Sequence, residues 1–89
     1  MAPFPLGRIV VTPGALRVLI EAGEDPLRYL VRHASGDWGD LDEHDRRENE
    51  RASGHGRRLV SRYPVGGGKV WIITEADRSA TTILLPEDY

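Results

Sequence analysis

RLVSRYPVGGGKVWIIT, residues 58–74, places two runs of strand-forming side chains around a glycine-rich break. Arg58–Tyr63 and Lys69–Thr74 are rich in β-branched and aromatic residues, and Pro64-Val65-Gly66-Gly67-Gly68 between them supplies a turn, so the segment predicts a β-hairpin. Glu75–Ser79 follows as a polar turn, Ala80–Leu85 as a third strand, and Pro86 as its stop. The expected sheet is therefore a three-stranded antiparallel meander. Alternation in its middle strand leaves both faces apolar. Val70, Ile72 and Leu84 mark one face, with Trp71, Ile73 and Ile83 on the other, and either could be the covered one. The apolar surplus suggests oligomerisation or a partner through the uncovered face, unless another segment of the chain covers it.

Upstream, Arg8–Thr12 reads as a short strand or extended entry, with residues 1–7 an extended N-terminal arm. Thr12-Pro13 is a helix start, a hydroxyl cap followed by proline in the first turn. Leu16, Leu19 and Ile20 give this helix a buried stripe, and Gly23 ends it. Asp25-Pro26 repeats the start, Leu27, Leu30 and Val31 the stripe, and Gly36 the end. The predicted fold class is α+β: one domain over 1–89, with two or three short N-terminal helices packed on the meander.

The middle of the chain is charged. Asp37, Asp40, Asp42, Glu43, Asp45, Glu48 and Glu50 face only Arg46 and Arg47, whereas Arg51–Arg62 holds four arginines and no acid. Asp40 with Glu43 forms a capping-box pattern, predicting a third helix from about Leu41 to Ala52 with Asp42–Arg46 and Glu43–Arg47 pairs. This helix has almost no apolar stripe, so it is a solvated helix or one that contacts a partner. Before it, Gly36-Asp37-Trp38-Gly39-Asp40 puts a tryptophan in a polar loop. Trp38 is a lid on the core or, if exposed, the best binding anchor, and a domain short of apolar mass favours the lid.

Composition narrows function. The 89 residues are 39% hydrophobic and 29% charged, with net charge −2, a globular balance without the basic excess of general phosphate-backbone binders. The chain has no cysteine, so no thiolate chemistry, and no apolar run long enough for a signal peptide or membrane span. The expected location is cytoplasmic. Gly66-Gly67-Gly68-Lys69 is not a phosphate-binding loop, because Tyr63 stands where the first glycine belongs and Val70 where Ser or Thr should follow. His33, His44 and His55 fit no metal-ligand spacing, and Ser35, Ser53, Ser61 and Ser79 lack a nucleophile-elbow context. The carboxylate pairs Asp37/Asp40 and Glu75/Asp77 lie in expected loops, where turn chemistry explains them. No enzyme, cofactor or metal is expected.

Arg32-His33, Gly36–Leu41, Lys69–Ser79 and Thr81–Tyr89 resemble a group of small bacterial proteins, plasmid-related and carried on mobile elements, without an established activity. The likeness runs from about Thr12 onward. The resemblance implies an accessory role, such as modulating host defence or plasmid upkeep. The leading expectation is a non-enzymatic protein that contacts a larger protein or nucleoprotein complex, for example an anti-CRISPR or antirestriction factor. Its partner-binding residues would be Asp37, Trp38, Asp40, Asp42, Glu43, Asp45 and Glu48, with Glu75, Asp77 and Arg78 as a second patch. One alternative is a nucleic-acid-binding regulator using Arg46, Arg47, Arg51, Arg57, Arg58 and Arg62. Another is a small enzyme or toxin built on His33 with Asp37 or Asp77.

Overall fold

A computed structural model describes residues 4–52 and 56–89. Three strands form where expected: β2 (Leu59–Val65), β3 (Gly68–Thr74) and β4 (Ala80–Leu84), each antiparallel to the next. The meander is nevertheless one strand short of the whole sheet. Arg8–Val11 is a strand, β1, running parallel to β4 at the edge, which gives a four-stranded mixed sheet of order β1-β4-β3-β2. Pro64 lies within β2 rather than in the loop, and the turn shrinks to Gly66-Gly67 with Gly66 at φ +57°. Proline is tolerated there because the even-numbered residues of β2 direct their backbone groups away from β3, as the Arg62 amide does toward the Trp38 carbonyl.

Both predicted helix starts form. Thr12 Oγ1 accepts from the Ala15 amide at the head of α1 (Pro13–Glu21), and Asp25 Oδ1 accepts from the Leu27 amide at the head of α2 (Pro26–Ala34). The faces they bury differ from expectation. Ala15 and Leu19 of α1 and Tyr29, Leu30 and His33 of α2 are buried, while Leu16, Ile20, Leu27 and Val31 stay in solvent. Tyr29 accounts for much of the rotation of α2, since its ring packs on Tyr63 of β2 at 5.3 Å between centroids. The first core cluster joins Ala15, Leu19, Tyr29 and Leu30 to Tyr63, Val65, Val70, Ile72 and Ile83. Ile83 thus shares the helix-covered face with Val70 and Ile72, and Leu84 pairs with Trp71 on the other, the reverse of their expected places.

That second face is not open. Arg62 stacks over Trp71, Tyr89 packs against the same indole, and Ile73 and Leu84 are buried. The third helix, α3, spans Glu43–Ala52, and Asp42 rather than Asp40 caps it by accepting from the Asp45 amide. The radius of gyration is 12.2 Å, near the roughly 12 Å expected of one domain of this length.

Candidate functional site

Each residue expected to bind a partner has a definite place. Asp37 receives Arg32 Nε at 2.7 Å and the Gly39 amide at 3.3 Å. Those contacts, the Arg32 guanidinium first, hold its carboxyl below the usual value. Its carbonyl accepts from the Tyr63 hydroxyl. Trp38 is fully buried with Phe4, Leu41 and Leu59 in a second core cluster, so it is a lid and not an exposed anchor. Phe4, part of the expected arm, stacks on it and meets His33 edge-on. Gly39, at φ +71°, forms a bridge with Arg62, and a Cβ there would lie 2.0 Å from the Arg62 carbonyl oxygen. Only glycine allows that approach.

The remaining acids are mostly committed as well. Glu43 pairs with Arg47, and Glu48 with Arg51 and Arg57. Asp42 is occupied as a cap, so the expected Asp42–Arg46 pair is replaced by Arg46 donating to the Gly39 and Leu41 carbonyls. In the second patch, Glu75 approaches Arg58 at 3.9 Å. Asp77 accepts from the Ser79 amide, and its carboxyl is lowered first by the Ser79 hydroxyl. Arg78, at φ +62°, donates to the carbonyls of Arg57, Glu75 and Ala76. Asp40 donates its amide to the Arg62 carbonyl of β2, and Asp45 donates its amide to Asp42. The arginine strip is likewise largely engaged, and only Arg62 of the six lacks an ion pair or backbone acceptor among the described residues. A groove of about 210 Å³ between α3 and β2 is lined by Asp45, Glu48, Asn49, Arg58 and Arg62, with charges of both signs.

The residue most easily missed in sequence is Asn49. It sits on α3, is almost fully buried, and forms both amide bonds with one residue of β2: its Nδ2 donates to the Val60 carbonyl and its Oδ1 accepts from the Val60 amide. With the Trp38 and Asp40 contacts to Arg62, it closes the outer edge of β2 as a further strand would. A lone asparagine in a charged helix gives no local signal of this.

His33 joins a buried polar row, with Nδ1 at 2.5 Å from Ser61 Oγ and Nε2 at 2.9 Å from Thr74 Oγ1. Thr74 meets Thr81, whose hydroxyl donates to the Leu6 carbonyl. One proton arrangement satisfies every member. Thr81 must donate to the carbonyl, so Thr74 donates to Thr81 and accepts from Nε2–H, leaving Nδ1 to accept from Ser61. The imidazole is neutral, and burial pushes its pKa down to about 4. Ser61 and His33 have the separation of a nucleophile and base, but His33, Ser61, Thr74 and Thr81 are all fully buried and no carboxylate orients the ring. Neither Asp37 nor Asp77 bonds it. The row forms a buried polar seam, bordered by Phe4 and Trp38 through the His33 ring and by the sheet through Ser61 and Thr74. Among the described residues no group of three or more His, Asp or Glu side chains is arranged to hold a metal, and no helix is long and apolar enough to cross a membrane. His55 lies outside the described residues.

What lacks an internal explanation is apolar. Ile20 is 67% exposed, Leu27 61%, Val31 56% and Leu16 42%. Leu16 with Ile20, and Leu27 with Val31, are spaced i, i+4, so each pair forms one flank of its helix. Comparison with protein-family models, curated proteins and solved structures finds no match for this chain.

Proposed function

We propose that this protein acts by binding a larger macromolecular partner, and that the flanks of α1 and α2, rather than the acidic segment, make the contact. The exposure of four large aliphatic side chains at helical spacing supports this reading, because a solvated helix pair gains nothing from them and a partner surface does. The acids and arginines of residues 37–58 weigh less, since most of them are held by neighbours within the chain. An aliphatic surface suits a protein partner better than a phosphate backbone. The mobile-element resemblance points to components of host defence or plasmid upkeep as the class of that partner.

The test compares three tagged forms as baits in a bacterial lysate: wild type, Leu27→Glu/Val31→Glu, and Glu43→Gln/Glu48→Gln. A protein recovered by wild type and by the Gln pair, but lost from the Glu pair with its helix content unchanged, supports the proposal. Loss from the Gln pair with retention by the Glu pair returns the contact to the acidic segment and overturns it. Recovery equal across all three overturns it too.

A further inference from the structure

The two edges of the sheet are finished differently. The outer edge of β2 is closed by Asn49 and by the bridge to Gly39, whereas β1 has no strand on its far side among the described residues. Arg8 donates its amide to Ser79 and Thr12 donates its amide to Ile83, so the even-numbered residues of β1 bond to β4. In a parallel ladder the intervening residues turn both backbone groups the other way. The amides and carbonyls of Ile9 and Val11 therefore point away from β4, to the side where no described strand lies. The side chains beside them are apolar and exposed, Ile9 on the helix-covered face and Val10 on the opposite one.

We propose that β1 pairs antiparallel with β1 of a second copy of this chain, about a two-fold axis at Val10. The register follows from the free groups. Ile9 of one copy faces Val11 of the other, each pair exchanging two backbone bonds, so four free donors meet four free acceptors. Val10 then faces its own counterpart as a non-hydrogen-bonded pair, with Cα atoms about 4.5 Å apart. Arg8 faces Thr12, so no like charges oppose one another across the junction. The pairing satisfies an edge that is a template for another strand and covers Ile9 and Val10 together. It is a self-complementary contact of the kind two-fold dimers use. The pairing is made by the backbone edge of β1 and does not rest on the function proposed for the α1–α2 flanks.

Because the chain lacks cysteine, Val10→Cys offers a clean test: Cα atoms about 4.5 Å apart fall within disulfide reach. Mild oxidation is expected to cross-link Val10→Cys into a dimer and to leave Arg8→Cys, four residues out of register with itself, largely monomeric. By sedimentation equilibrium the wild type is expected to rise from 9.9 kDa toward twice that mass with concentration. Ile9→Pro removes only an outward-facing amide, and Val10→Lys places two charges together, so both are expected to remain at the monomer mass with unchanged circular dichroism. Leu27→Glu/Val31→Glu is expected to dimerise normally, which separates this idea from the preceding one. A wild type that stays monomeric throughout overturns the proposal, as does equal cross-linking of the two cysteine variants.

Discussion

Between Asp37 and Asn49 the chain closes the edge of β2 with polar groups. Helices α1 and α2 cover one face of the sheet with apolar groups and still leave four aliphatic side chains in solvent. Polar bonds saturate: Val60 and Arg62 each have both backbone groups partnered and can take up no more. Apolar contact does not saturate in this way, and a nine-residue helix with apolar residues around more than half its circumference must expose some of them. Charge density alone therefore does not say which region lacks contacts within the chain. The segment that composition marks as outward-looking is bound to its own fold, and the segment it marks as core carries the surplus.

The comparison breaks first at Trp38. If the polar segment is a structural closure, Trp38→Ala should cost about 3–5 kcal/mol, the range for deleting a buried aromatic ring, read as a fall in the urea midpoint. The indole Nε1 is buried without an acceptor among the described residues. Trp38→Phe, which removes that donor and keeps a ring, should cost clearly less. A Trp38→Ala protein as stable as wild type would show the loop to be an ornament on the surface.

The second test concerns the seam beneath that lid. The neutral His33 has its pKa lowered from 6.5 to about 4. The unfolded chain therefore binds the proton more readily than the folded one. The contribution is complete above about pH 6.5 and is lost as pH falls toward 4, by roughly 3 kcal/mol in total. Asp37, held low by Arg32, acts in the same direction but below the ordinary carboxylate value. Urea midpoints from pH 7 to 4 should fall across this window, and the His33 ring resonances should not titrate above about pH 5. Ordinary titration near pH 6.5 would mean the seam is open to water.

Local chemistry made part of this legible and long-range geometry hid the rest. Thr12-Pro13 and Asp25-Pro26 are starts that need only their own first turn, and the hairpin needs only its turn. The place of β1 depends on residues some seventy positions away, and four extended residues carry no sign of which edge they join. The burial of α2 turned on Tyr29 and His33, whose partners Tyr63, Ser61 and Thr74 lie on the sheet. Periodicity alone preferred the more hydrophobic arc through Leu27 and Val31. The acids look unspent in the sequence, yet an acid beside an arginine at i, i+4, or ahead of a helix, also has a partner within the chain, as Glu43 and Asp42 do.

A third test separates bonds from charge within the polar segment. Asn49→Ala leaves both backbone groups of Val60 without their partner, at a cost of about 2 kcal/mol once partial access of water is allowed for. Its signature is local: the Val60 amide should exchange hydrogen much faster, while the β3–β4 amides slow or speed only with global stability. Glu43→Gln, which removes one exposed ion pair of the same helix, should change stability by less than about 0.5 kcal/mol. Equal effects of the two changes would mean that α3 is held by charge and not by its grip on β2.

The smallest effect is expected where the surplus lies, and its smallness is the point. Ile20→Ser and Leu27→Ser remove aliphatic groups that are 67% and 61% exposed. Substitutions at such sites stay within about 0.5 kcal/mol of wild type. Serine lowers helix propensity slightly, so each change should be neutral or mildly destabilising by thermal melt. A loss of 2 kcal/mol or more at either residue would mean that the flank is packed in the folded chain. The contrast with the polar segment would then collapse, and with it the reason to look for a partner there. Near-neutral stability would leave those side chains without a role in folding, as the proposed contact surface requires.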